Sequence, residues 1–70
     1  MKVIVKLDPT RKHDEIILGD QKVDIIDGVS VFPDGHSEMY GDELTLTAIA
    51  RIAVRLGATP KTKITYEIKN

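Results

Sequence analysis

Apolar and polar residues alternate at the start of the chain. Val3, Val5 and Leu7 share one side and Lys2, Ile4 and Lys6 the other, the period-two pattern of a half-buried strand. Asp8-Pro9-Thr10 stops that strand, because proline has no N–H for a ladder and favours a turn. Thr10 to Asp14 is polar and reads as a loop. Glu15 to Leu18 is a second, short strand closed by Gly19-Asp20, and Lys22 to Ile26, rich in β-branched residues, is a third. Asp27-Gly28 admits two readings, a two-residue hairpin turn or a glycine bulge inside one strand that resumes at Val29. The bulge is preferred, because it leaves Val23, Ile25, Val29 and Val31 available to one core.

Phe32-Pro33-Asp34-Gly35-His36 is a turn with a mechanism: proline presets φ, aspartate caps its own backbone and glycine closes the turn. His36 to Tyr40 then returns along Val29 to Phe32 as the second arm of a hairpin. Ser37 and Met39 face one way on that arm, and His36, Glu38 and Tyr40 the other. That segment is a connection before it is a site.

After Gly41 the period changes. Leu46, Ile49, Ala50, Ala53 and Leu56 recur at spacings of three and four, a core-facing helical stripe widened by Ile52 and Val54. Thr47, Arg51 and Arg55 hold the opposite face. Asp42 is a candidate N-cap with Glu43 suited to the first turn, and Thr45 is the competing cap. Gly57 stands where a helix ends, and Pro60 prevents continuation. From Thr62 to Lys69 the alternation returns, with Ile64, Tyr66 and Ile68 against Lys63, Thr65, Glu67 and Lys69, and Tyr66 is assigned to the core.

The elements sum to an α+β fold: a four- to five-stranded, mostly antiparallel sheet with one helix packed on one face, in the order β-β-β-β-α-β. The helix carries the last strand back beside an earlier one. The other sheet face is left to solvent or to a partner.

Seventy residues make a single domain, 1–70, with a thin core, since so short a chain buries only about 60% of the surface its unfolded form exposes. On that ground a homodimer is as much expected as a monomer. There is no cysteine, which removes both a disulfide framework and a thiolate zinc site as supports. No apolar run approaches the roughly 20 residues of a membrane span. Lys6 interrupts the apolar start that a signal peptide needs, so the expected location is cytoplasmic.

Charge is unevenly distributed. Residues 8 to 43 carry ten acids against Arg11, Lys12 and Lys22, a net of −7. Residues 44 to 70 carry five basic residues against Glu67, a net of +4. An acidic pole and a basic pole are expected if the strands do not interleave the two segments.

Candidate chemistry is sparse. Asp34, His36 and Glu38 are ligand-type residues at close spacing, but two side chains on one face of a strand fall short of the three or four that a zinc site needs. His13-Asp14-Glu15 has the residue types of an acid–histidine pair, on positions that alternate sides of an extended chain. Asp20, Asp24 and Asp27 do not have the spacing of a calcium loop. The chain has no phosphate-binding glycine loop, nucleophile elbow or cysteine nucleophile. No catalytic residue, metal or cofactor is assigned, and the chain is read as non-enzymatic.

The leading expectation is a small protein-binding module whose contact is made by Asp20, Asp24, Asp27, Asp34 and Glu38 or by the open sheet face. In its most specific form it is an accessory or inhibitor protein presenting an acidic surface to a nucleic-acid-handling partner. The compact, cysteine-free, single-helix build is similar in size and style to accessory proteins of phages and mobile elements, with no motif behind the likeness. The alternative is a nucleic-acid-binding module using Arg51, Arg55, Lys61, Lys63 and Lys69. Against it, Phe32, Tyr40 and Tyr66 are the whole aromatic set, which leaves little to stack bases.

Overall fold

The computed structural model describes residues 2–39 and 45–69. Among them are β1 (Lys2–Leu7), β2 (His13–Leu18), β3 (Gln21–Ile26), β4 (Val29–Val31), β5 (Ser37–Met39), α1 (Leu46–Arg55) and β6 (Lys63–Ile68). The strands form one sheet in the order β5-β4-β3-β2-β1-β6. β1 to β5 are an antiparallel meander, and β6 runs parallel to β1. The fold is α+β with one helix, as expected. The sheet is larger than the four or five strands anticipated and is mixed. Its one parallel pairing follows from the helix, which returns the chain so that the next strand starts at the same end as β1.

Asp27-Gly28 is a two-residue turn, and the bulge reading is overturned. Both residues have positive φ, +50° and +83°, the geometry that matches a tight turn to the twist of its strands. Ile26 therefore pairs with Val29 and Asp24 with Val31. This register turns Val29 and Val31 away from the helix and sends Ser30 and Phe32 inward, where both are buried. β2 also begins earlier than expected, at His13. Asp14, assigned to a polar loop, is a buried strand residue opposite Ile25.

The core lies between the sheet and α1. Val3, Val5, Ile16, Leu18, Val23 and Ile25 from the strands meet Ile49, Ile52, Ala53 and Leu56 from the helix. Leu46, Ala50 and Val54 do not join it; Leu46 is 73% and Val54 65% exposed. At 100° per residue, the helix's apolar positions span about 240° of its circumference, while the buried set from Ala48 to Ala53 spans about 140°. One sheet contact cannot take so wide an arc. The packing chose the half that includes Ile52 and left the half that includes Leu46.

Thr45 is the N-cap, its hydroxyl accepting from the Ala48 N–H at 3.1 Å. The competing assignments to Asp42 and Glu43, and the placement of Tyr40, lie outside the described residues. At the other end Ala58 N–H donates to the Ala53 carbonyl and Gly57 N–H to that of Val54, with Gly57 at φ +107°. This is the helix ending that glycine permits without a Cβ clash. The Gln21 side chain donates to the Leu56 carbonyl at 3.0 Å, tying the helix end to the start of β3.

The helix packs over β2, at the middle of the sheet. Six strands about 4.8 Å apart are roughly 24 Å wide, and a helix with its side chains is about 10 Å across. Both flanks of the covered face therefore depend on something other than α1. Ile64, Tyr66 and Ile68 on β6 are in register with Val3, Val5 and Leu7 on the helix side, yet are 39%, 48% and 64% exposed. The assignment of Tyr66 to the core is corrected: the strand alternates as read, but the helix does not reach it.

Candidate interaction surface

The face of the sheet opposite α1 carries a charge network across neighbouring strands. The Lys69 ammonium lies 2.6 Å from a Glu15 carboxylate oxygen and donates to the His13 carbonyl at 2.9 Å. Lys22 stands 3.5 Å from Glu15 and 3.6 Å from Asp24, and His13 Nε2 lies 2.8 Å from Asp24 Oδ1. The pairing register explains the cluster. The Gly19-Asp20 turn sets Glu15 opposite Asp24 and Ile17 opposite Lys22, so like-charged carboxylates meet unless cations stand between them.

Beside this network the β1–β2 connection is held by two aspartates. One Asp8 oxygen accepts from the Thr10 N–H and hydroxyl, the other from the His13 N–H. Asp14 accepts from the Asp8 N–H at 2.7 Å and faces Arg11 at 3.5 Å. The Thr10 and His13 donors hold the Asp8 carboxyl below its ordinary value of 3.8. The hydrogen bond from Lys69, helped by the charges of Lys69 and Lys22 and opposed by burial, holds Glu15 below 4.5.

These two shifts contribute to the acid response. A carboxyl with a lowered folded-state pKa binds fewer protons folded than unfolded, so stability rises with pH in the acid range. The contribution is complete above the unfolded values of 4.5 and 3.8 and is lost as pH falls through the lower folded ones. Urea midpoints between pH 7 and pH 3 are expected to hold steady on this account down to about pH 5 and then fall. Glu15→Gln should flatten part of the fall. An unchanged acid limb in that variant would remove Glu15 from the explanation.

On the helix side the β5 flank is bridged by polar contacts, beside a cleft lined by Glu38, Met39, Ala50, Arg51, Val54 and Arg55. Arg55 pairs with Glu38, and its guanidinium lies 5.9 Å from the centroid of the Phe32 ring, within cation–π range. His36 Nε2 reaches the same carboxylate at 2.8 Å. His36 and Glu38 therefore do share a side, as their spacing indicated, but they meet each other and Arg55. Among the described residues no three His, Asp or Glu side chains converge as a metal ligand set. His13 and Asp14 fall on opposite sides, and the partner of His13 is Asp24 of the next strand.

The acids expected to form one surface are divided. Asp20 and Asp34 lie in turns at one end of the sheet, and Asp27 lies in the turn at the other end. Asp24 is paired on the open face, and Glu38 is paired under the helix side. The basic set is divided too. Arg51 projects from the exposed helix face, Lys61 is in the loop before β6, Lys63 is on the open face of β6, and Arg55 and Lys69 are bound to carboxylates. The acidic and basic chain segments interleave, because β6 lies beside β1 and within reach of β2.

The remaining flank is different in kind. Leu46, Ala50 and Val54 stand one turn apart along the outward side of α1. Ala50, Val54, Ala58, Pro60 and Ile64 line one groove between the helix and β6. Tyr66 and Ile68 continue the same side of the strand. Comparison with protein families, curated proteins and solved structures finds no match for this chain. The apolar flank was present in the sequence as the surplus of the helical stripe, eight apolar positions where one sheet contact takes five.

Proposed function

We propose that this protein is a small non-enzymatic module that works by binding another protein through the apolar flank formed by α1 and β6. The observation that carries this reading is the contrast between the two flanks. On the β5 side Arg55, Glu38 and His36 pair with one another beside the Phe32 ring and beside a cleft that Val54 also lines, while the β6 side leaves Leu46, Val54, Ile64, Tyr66 and Ile68 in solvent with no ion pair among them. Contiguous exposed apolar surface on a domain this small marks a contact site. The open face suits the role less, because the Glu15–Lys69–Lys22–Asp24–His13 network breaks its apolar residues into separate patches.

An acidic surface that covers a nucleic-acid-handling partner would need Asp20, Asp24, Asp27, Asp34 and Glu38 on one face, and they are spread over both ends and both faces of the sheet. Nucleic-acid binding would need Arg51, Arg55, Lys61, Lys63 and Lys69 to act together, and two of these are already paired with carboxylates. The accessory or inhibitory form of the reading therefore rests on apolar contact and not on charge.

The test is capture on a tagged chain from host lysate that also contains the untagged chain, with and without nuclease. Protein held in stoichiometric amount is expected to survive nuclease and to be lost with Val54→Glu, an exposed substitution that leaves the circular dichroism spectrum unchanged. Nucleic acid held by the wild type and released by Arg51→Ala with Arg55→Ala would replace this reading with the nucleic-acid one.

A further inference from the structure

The two edges of the sheet are unlike. Among the described residues β5 has three, and on its helix side Glu38 is held by Arg55. β6 has six residues, with no proline or glycine, and no strand among the described residues pairs with its outer edge. An exposed edge of this length is a pairing site unless something blunts it. The Lys69 N–H donates to the Leu7 carbonyl, so odd-numbered residues of β6 turn their backbone groups toward β1. Because these directions alternate along a strand, Ile64, Tyr66 and Ile68 present N–H and C=O outward.

The side chains of β6 are arranged as their own complement. Lys63 and Glu67 stand two residues before and two after Thr65, on the face away from α1. No ion pair among the described residues uses either one. We infer that β6 pairs antiparallel with β6 of a second copy about a twofold axis through Thr65, extending the sheet across the dimer. This rests on the protein-binding reading above and names the partner as a second copy.

In this register Lys63 faces Glu67 of the second copy twice over, and Thr65 faces its own counterpart. Ile64 faces Tyr66 on the helix side, and their outward backbone groups exchange hydrogen bonds at both symmetry-related pairs. A register centred on Tyr66 instead sets Lys63 opposite Lys69, a like-charge contact. A shift of one residue sets apolar side chains against charged ones on both faces. The twofold also leaves both copies of α1 on one side of the joined sheet, where Ile64, Tyr66 and Val54 from each copy face the gap between the helices. Within the six residues of β6 the charge order therefore favours a second copy in the register centred on Thr65.

Sedimentation equilibrium from about 10 μM to 1 mM, the range in which a small interface of this kind associates, tests the inference. The wild type is expected to approach twice the 7.8 kDa chain mass. Lys63→Glu alone and Glu67→Lys alone should each weaken the dimer tenfold or more, since each creates two like-charge pairs. Mixing the two variants in equal amounts should restore it, because every charged pair is then opposite, and the double variant K63E/E67K should dimerise as the wild type does. Both substituted positions, Lys63 and Glu67, are exposed, so the circular dichroism spectra should coincide. A wild type that stays monomeric to 1 mM, or a dimer unaffected by the single substitutions, would overturn the inference. A monomer that still captures a different protein through Val54 would overturn the dimer and leave the protein-binding reading standing; a monomer that captures none would remove both.

Discussion

Ile52→Ala is expected to lower folding stability by about 3 to 4 kcal/mol, a third or more of what a domain of 70 residues holds at roughly 0.05–0.15 kcal/mol per residue. Ile52 has no exposed surface and sits at the centre of the helix–sheet contact, among Ile49, Ala53 and Leu56 from its own helix and the valines and isoleucines of β1 to β3. Truncation removes three carbons from that contact, and strands fixed by ladders on both sides cannot close the space. A drop of that size moves the thermal midpoint by about 4 to 8 °C per kcal/mol in a domain this small. Leu46→Ala is the control, since it lies on the outward side of the same helix and should stay within about 0.5 kcal/mol of the wild type. Urea unfolding followed by circular dichroism measures both. A larger loss at Leu46 than at Ile52 would mean that α1 rests on the sheet with its other side.

Asp14→Ala is the second large effect, at about 2 to 3 kcal/mol. The Asp14 carboxylate is 2% exposed, accepts the Asp8 N–H at 2.7 Å and faces Arg11. Removing it leaves the Asp8 N–H without its acceptor where β1 turns into the loop, and Arg11 without its carboxylate. Asp14→Asn keeps an acceptor of the same shape and should cost about 1 kcal/mol, so the difference between the two variants reads the hydrogen bond apart from the charge. Alanine and asparagine variants of equal stability would show that the Asp8 N–H finds water instead. Because Asp8 itself caps Thr10 and His13, the alanine variant should also loosen the 8–12 connection, visible as faster amide exchange at those residues.

Much of the fold was legible in the residues. Alternation placed β1 and β6, the turn signals at Asp8-Pro9, Gly19-Asp20 and Pro33-Asp34-Gly35 divided the strands, and Gly57 ended the helix. The misreadings have a common cause. Asp14 looked like loop because it is charged, but its buried carboxylate accepts from the part-buried Asp8 N–H. Val29 and Val31 looked like core because they are apolar, but a two-residue turn at Asp27-Gly28 reverses which side they face. The charge clusters were the least legible part, since Glu15–Lys69 and Arg55–Glu38 join segments that only the sheet order brings together. The His13–Asp24 contact was within reach: a two-residue turn at Gly19-Asp20 already sets Glu15 opposite Asp24, one step along the same face from His13.

By itself the sequence determined the local states, because hydrophobic period, caps and turn residues act over a few positions and need no distant partner. It also determined that the helix had more apolar surface than one contact uses. Only the tertiary structure decided which part of that surface was covered, that β6 would lie beside β1, and that opposite charges from the two halves of the chain would meet. Those outcomes depend on strand order and on a helix about 10 Å wide lying over a sheet about 24 Å wide. The uncovered flank on the β6 side is the result, and it follows from the geometry of the layers rather than from any residue in it.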